Sequence, residues 1–267
     1  VKVVLTIAGS DSCAGAGIQA DLKTFSAHGL YAVTTVTAVT AQSPSRITAT
    51  HIIPTDIITA QIDTMLHDVS IAGIKTGMLA KRENVNIVAA ALNNRGLLAV
   101  VDPVMQSSSG TTLLEEKAVE DLKNELLPQA SVVTPNKAEA EQLSGVTIRT
   151  INDTKTAAYR IKNLGPGAVV ITGGHYKPAG DTVVDVVYDG HNLFEVPTPR
   201  VVLAAKEQTH GTGCIYSSAL LSQLIAGHTV IDAAQAAQRF VSLELVRRRD
   251  CGQDAWLASF PNHRTNA

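Results

Sequence analysis

The residues best placed to do chemistry are Thr209-His210-Gly211-Thr212-Gly213-Cys214, which run straight into Ile215-Tyr216-Ser217-Ser218-Ala219-Leu220-Leu221. Glycines leave successive backbone N–H groups bare, and the first turn of a helix has N–H groups with no intrahelical acceptor. The helix dipole adds partial positive charge at the same place. Such a nest suits an anion, usually a phosphate. A cysteine at a helix N-terminus also loses its proton more easily than in water. Gly211, Thr212, Gly213 and Cys214 are therefore expected to form a phosphoryl-transfer site, with Cys214 beside the reacting oxygen. The competing reading is a glycine-rich helix start with an inert, buried thiol.

Other clusters carry weaker signals. Asn136 and Glu139 lie one helical turn apart, hence on one face. They could hold a hydrated Mg²⁺, which takes few protein ligands and completes its shell with water or phosphate oxygens. Asp102, at the end of a strand-like run, would converge on the same ion. The plainer alternative is an Asn cap followed by an ordinary exposed Glu. Gly15-Ala16-Gly17-Ile18-Gln19-Ala20 matches a dinucleotide-binding fingerprint, but no acid stands about twenty positions later to hold a ribose. Close packing of a helix start explains those glycines better, and Asp21 could instead face a small substrate. His175 and His210 read as structural histidines, and Lys177 and Lys206 as exposed cations within reach of a phosphate.

These residues must be positioned by the elements around them. Apolar runs end in turn or polar clusters at Val3–Ala8, Tyr31–Thr40, Ile71–Thr76, Leu97–Val101, Ala130–Val133 and Ala168–Thr172, and predict strands. Between them, helices are expected at Ala14–Ala27, from Thr55 to about His67, and at Arg82–Asn93, Leu114–Leu126, Asn136–Leu143 and Asn152–Leu164. Ile47–Ile53 reads as extended, and Val183–Tyr188 with Leu193–Val196 as a hairpin around Asp189-Gly190-His191-Asn192. Helices follow at Gly211–Gly227 and from Val230 to about Arg248, and the tail after Asp250 reads as irregular. Short apolar strands alternating with helices predict an α/β fold: a mainly parallel central sheet with helices on both faces. One domain spanning 1–267 is expected. Ligands of such sheets sit outside the carboxyl ends of the strands. That rule gathers Gly9 to Asp11, Gly77-Met78, Asp102-Pro103, Thr134 to Asn136 and Gly173-Gly174 into one cleft.

The bulk composition narrows the partners. The chain has 267 residues, is 45% hydrophobic and 17% charged, and carries a formal charge of -2. Neither a nucleic-acid footprint nor a membrane span is expected. Val1 to Leu5 already reads as a strand, so no secretory signal is expected. Three cysteines, Cys13, Cys214 and Cys251, make no disulfide framework and fit a reducing cytoplasm.

Taken in order, the clusters resemble the ribokinase-fold hydroxymethylpyrimidine and phosphomethylpyrimidine kinases of thiamine biosynthesis. The matching stretches are Leu5 to Ser12, Gly15 to Phe25, Thr37 to Gln42, Lys75 to Leu79, Asp102 to Met105, Thr134 to Asn136 and Thr209 to Cys214. The resemblance implies a ribokinase-like three-layer sandwich and an ATP- and Mg²⁺-dependent kinase, most often a homodimer, here through strands near residues 31 to 53. It implies an anion hole at Gly211 to Cys214, with Cys214 where sugar kinases of this fold place an aspartate base. Asn136 and Glu139 would organise Mg²⁺–ATP, with Asp102 nearby and Thr172 in the nucleotide site; Asp102 and Glu139 would meet the ion through water or phosphate. Asp21 and Gln42 would hydrogen-bond the pyrimidine, and Met78 would pack beside it. Departures are a missing lysine at Thr172 and another at Ser108, Cys13-Ala14 in place of glycines, and Gln253 to Trp256 in place of a glycine-rich ending. A pyridoxal kinase on the same scaffold is the nearest alternative, since some carry the same Cys and a Thr-Gly-Gly strand end; Gln42 favours the pyrimidine. A non-catalytic ligand-binding relative is the third reading.

Overall fold

The computed structural model describes residues 1–43, 45–93, 95–107, 110–175, 181–202, 208–247, 249–250 and 255–257. Ser108, Lys177, Lys206 and Cys251, singled out above, lie outside them. The chain runs β1 (Val3–Asp11), α1 (Gly17–Ala27), β2 (Tyr31–Ser43), β3 (Arg46–Ile52), α2 (Thr55–Asp68), β4 (Ile71–Thr76), α3 (Arg82–Leu92), β5 (Leu98–Val101) and α4 (Ala118–Asp121). It continues through β6 (Val132–Val133), α5 (Lys137–Ser144), α6 (Ile151–Lys162), β7 (Ala168–Ile171), β8 (Thr182–Tyr188) and β9 (Leu193–Pro199). The last elements are β10 (Gln208–Thr209), α7 (Thr212–Ile225), α8 (Val230–Val246), β11 (Arg249–Asp250) and β12 (Ala255–Leu257).

Nine strands form the main sheet in the order β3-β2-β1-β4-β5-β6-β7-β8-β9. Strands β2 through β7 pair in parallel, and β3, β8 and β9 are antiparallel additions at the two edges. Alternate residues of each strand feed opposite cores, as the two-residue period of a strand requires. Leu5, Ile7, Ala99, Val101, Val169 and Ile171 pack with Ile58, Val85 and Ile161 from α2, α3 and α6. Val4, Val100, Val132 and Val170 pack with Phe25, Leu220 and Ala237 from α1, α7 and α8. The result is the three-layer, ribokinase-like α/β sandwich.

The chain enters in mid-sheet, since β1 has β2 on one side and β4 on the other. The crossovers leave β1 in opposite directions, so the crevice at its carboxyl end is a topological switch point. Helix α7 packs beneath that crevice and is apolar nearly all round, with Leu220 and Leu221 wholly buried. Each such leucine contributes roughly 1.5–3 kcal/mol of burial. Among the described residues, no helix is long and apolar enough to cross a membrane.

Two elements differ from expectation. The helix expected over Leu114–Leu126 is α-helical only at Ala118–Asp121, then widens to a π-turn at Leu122–Leu126 and tightens to a 3-10 turn at Leu127–Gln129. Pro128 cannot supply the N–H that would continue it. The tail is not wholly irregular: β12 pairs in parallel with β10 and antiparallel with β11, in a small second sheet beside the start of α7. Pairing across so many residues leaves no local pattern to read.

Candidate active site

Gly211 caps α7 in the left-handed conformation (φ 80°), where glycine is at home. A Cβ there would stand 1.8 Å from the Gly15 carbonyl oxygen, so the loop after β1 is pressed against the start of α7. Among the described residues, no side chain caps this helix. Its first-turn N–H groups therefore face the cleft, as an anion hole requires. Gly213 differs from Gly211: its backbone makes no special demand, and among the described residues a Cβ would meet within 4 Å only Asp102 Oδ2, at 3.9 Å. Space is kept open between the helix start and Asp102.

Behind this opening lies a buried charge network. Lys75 on β4 and Asp21 on α1 have no exposed surface, and the Lys75 ammonium donates to both Asp21 oxygens at 2.9 and 3.0 Å. Thr6 (2.6 Å) and Ser218 (2.9 Å) also donate to Asp21. Asp102, at the end of β5, stands 4.0 Å from Lys75 and accepts a 3.0 Å bond from Ser217 of α7. Burial pulls the Lys75 ammonium toward neutrality, but the neighbouring carboxylates, Asp21 first, outweigh it and hold the proton on. Asp102 is raised above the ordinary carboxylate range by burial, against the pull of Lys75 and Ser217.

Two expectations change here. Asp21 lies behind the cleft wall, its carboxylate fully engaged by Thr6, Lys75 and Ser218, rather than presented to a substrate. The Cys214 thiol is not eased toward the thiolate: burial pushes it up to about 12, and Asp21 and Asp102 add to that push against Lys75. The helix terminus is overruled by desolvation and two carboxylates.

Asn136 and Glu139 form both halves of a capping box: Asn136 N–H donates to Glu139 Oε2 (2.9 Å) and Glu139 N–H to Asn136 Oδ1 (3.1 Å). Yet Glu139 is buried rather than exposed, as an ordinary cap partner would be. Burial first, and the charge of Asp102 second, push its carboxyl up to about 8. Two buried carboxyls whose charges repel are a donor set suited to a cation. Thr172, just after β7, donates its N–H to the Pro135 carbonyl (3.0 Å), joining the Asn136 and Gly173 corners. Gly173 leaves no room for a side chain, because a Cβ would lie 2.0 Å from the Val184 carbonyl oxygen. Its N–H donates to buried Asp185 at 2.7 Å.

Gln42 and Met78 mark the other wall. Met78 packs with Ala38 and Ala80, and its sulfur would be 3.0 Å from a Cβ on Gly9. The Gln42 amide lies 2.8 Å from His210 Nε2, which is also 2.9 Å from Asp11 Oδ2. Thr40 Oγ1 lies 3.0 Å from the Ser10 carbonyl and 3.1 Å from the Gln42 amide, and its one hydrogen serves the carbonyl. With the Gln42 oxygen toward His210 Nε2 and its NH₂ toward Thr40, the single Nε2–H is shared between Gln42 and Asp11. Asp11 also accepts from the N–H groups of Cys13, Gly15 and Ala16 at 3.0, 3.0 and 2.8 Å. Burial would raise Asp11, but the bonds from His210, Cys13 and these amides together hold it below the usual range. Gly17 serves packing, as expected: at φ 57°, a Cβ would lie 2.3 Å from the Gly9 carbonyl oxygen.

Sequence reasoning had no role for Lys75, and none for Thr6, Ser217 and Ser218. A lysine inside an otherwise apolar strand was the available signal, since such a residue is almost never buried unpaired.

An uncapped, glycine-rich helix start facing Asp102, in a sheet of this order, fits a small-molecule phosphotransferase of ribokinase-like architecture. A family profile for phosphomethylpyrimidine kinase matches residues 11–257. The chain is 41% identical over 254 residues to a hydroxymethylpyrimidine/phosphomethylpyrimidine kinase from Rhizobium meliloti, covering 94% of each chain. Among solved structures it resembles the Staphylococcus aureus pyridoxal kinase in complex with pyridoxal (31% identity, TM-score 0.88, covering 100% of this chain and 96% of that one). It also resembles the phosphomethylpyrimidine kinase of Clostridium difficile 630 (34% identity, TM-score 0.79, covering 92% of this chain and 100% of that one). This chain belongs to the phosphomethylpyrimidine kinase family.

Proposed function

We propose that the protein phosphorylates hydroxymethylpyrimidine and then its monophosphate at the expense of ATP, as a step of thiamine biosynthesis. The observation that carries the reading is the open space at Gly213, between an uncapped helix start and Asp102. Neither backbone conformation nor packing requires glycine there; an incoming phosphoryl group would. The acceptor hydroxyl attacks the γ-phosphorus in line while the bond to the bridging oxygen of the diphosphate breaks. The N–H groups of Gly211 to Cys214 meet the charge on the transferred oxygens, so the protein's work is positioning and electrostatics. In a loose transition state the hydroxyl proton leaves late, and the new phosphate takes it. The thiol of Cys214 contributes shape and polarity rather than a base.

Asp102 and Glu139 are the residues to hold Mg²⁺ through water or phosphate, with Asn136 and Thr172 beside the nucleotide. The ion would neutralise phosphate charge. Gln42 offers a donor and an acceptor to the edge of an aminopyrimidine, and Met78 an apolar wall; Asp21 acts through Lys75. A homodimer through the β2–β3 edge would cover the exposed Val39 and Ile52. A compartment supplying ATP and Mg²⁺, the cytoplasm, suits the reaction.

Steady-state kinetics on both candidate acceptors test the assignment. Pyrimidine-dependent, Mg²⁺-dependent ATP consumption is expected. The likeness to pyridoxal kinases favours one alternative, and turnover of pyridoxal without turnover of the pyrimidine would establish it instead.

A further inference from the structure

Four donors converge on one carboxylate oxygen in the loop after β1. Asp11 Oδ2 receives the N–H groups of Gly15 and Ala16, the Cys13 thiol at 3.2 Å and His210 Nε2 at 2.9 Å. Such an oxygen has room for fewer hydrogens than that. The side-chain ligand atoms of Asp11, Cys13 and His210 all lie within 4.8 Å of one another. A tetrahedral zinc-class ion with bonds of about 2.0 Å to N and O and about 2.3 Å to S needs N–O and S–O separations of about 3.3 and 3.5 Å. The separations present, 2.9 and 3.2 Å, are each a few tenths of an ångström short of that.

We propose that Asp11, Cys13 and His210 form a three-ligand site for a zinc-class divalent ion, and that an ion bound there inhibits the kinase. The ligand set is one thiolate, one imidazole and one carboxylate, which suits zinc and its neighbours and not magnesium. Asp11 and His210 are held by burial, while half-buried Cys13 opens the site toward the cleft and leaves a fourth position for water. The Gly15 and Ala16 N–H groups remain on the carboxylate as its outer support. Binding is balanced by one proton: the Cys13 thiol releases its hydrogen to solvent, and the imidazole shifts its own from Nε2 to Nδ1, freeing Nε2 for the metal. Inhibition follows because Gln42 loses its His210 partner; this arm rests on the proposed contact between Gln42 and the pyrimidine.

Cobalt(II) titration of the whole protein tests the site. One equivalent should produce a thiolate-to-cobalt charge-transfer band and tetrahedral d–d bands, retained in Cys214→Ser and lost in Cys13→Ser. No band in the reduced wild type, or a band that survives Cys13→Ser, overturns the site. Should Cys13→Ser fold poorly, X-ray absorption of the zinc-loaded wild type decides: one sulfur neighbour supports the site, and an all-nitrogen/oxygen shell refutes it. With excess Mg²⁺–ATP, zinc should compete with the pyrimidine and not with ATP, and Cys13→Ser should need at least about tenfold more zinc. A Cys13-dependent band without such competition overturns the inhibitory role and the Gln42 contact, while leaving the kinase assignment untouched.

Discussion

Replacing Lys75 by methionine isolates the buried charge network behind the anion hole. The side chain is close in length, so the main loss is charge. At 2.9 Å and an effective dielectric of about 20, the attraction between Lys75 and Asp21 is about 6 kcal/mol. Desolvation of both groups cancels most of that in the intact pair, but removing one partner strands the other, at a cost of about 3–5 kcal/mol. Thr6 and Ser218 still donate to Asp21 and place the cost toward the lower end. For a chain of this size that lowers Tm by about 6–15 °C. Asp102 loses its neighbouring cation as well, so its carboxyl rises further and ionises less readily beside the phosphoryl site. Thermal and urea melts of Lys75→Met, with kcat and KM for both substrates, give the comparison. The double variant Lys75→Met/Asp21→Leu removes the stranded charge and should recover most of the stability but little of the activity. A Lys75→Met protein within about 1 kcal/mol of the parent would refute the network. A double variant no more stable than the single one would assign the loss to packing instead.

Further expectations follow from the same geometry. Glu139 titrates near 8 in the fold against an ordinary value of 4.5, so the folded apo protein binds the extra proton. Its stabilisation is complete below about pH 4.5 and is lost as pH rises toward 8, an effect of a few kcal/mol at most. Apo Tm should therefore fall between pH 6 and 8.5, and Glu139→Gln should flatten the slope; an unchanged slope would show that another group sets it. Gly213→Ala should melt like the parent yet lose about 10²-fold or more in kcat, whereas Gly211→Ala should fail to fold normally. Equal melting losses in the two would erase the distinction between ligand space and backbone demand. Cys214→Ser should lose less than about tenfold in either phosphorylation; a loss of about 10²–10⁴ confined to the first would reinstate Cys214 as general base. Asp185→Ala strands the Gly173 N–H and should destabilise by about 1–3 kcal/mol with a raised KM for ATP, while Asp185→Asn, which keeps an acceptor, should not.

Much of this protein was determined by the chain read as a string. Short, solidly apolar runs bounded near Asp11, Thr76, Asp102 and Thr134 specify parallel strands whose carboxyl ends share one edge, because a strand buried on both faces needs helices, and hence crossovers, on each side. Glycines at 211 and 213 and the Asn136–Glu139 spacing specify helix starts, which are local events. What only the tertiary structure decided was the electrostatics. Asp21 was read as a substrate contact and Cys214 as an eased thiol, since sequence shows residue types and spacing but not desolvation. Folding buried Asp21, Lys75 and Asp102, from three separate elements, side by side, and that burial overrides the helix-terminus effect on Cys214. It also brought His210 to Asp11 and Gln42 across most of the chain. Burial and charge partners are properties of the assembled core, and no local pattern carries them.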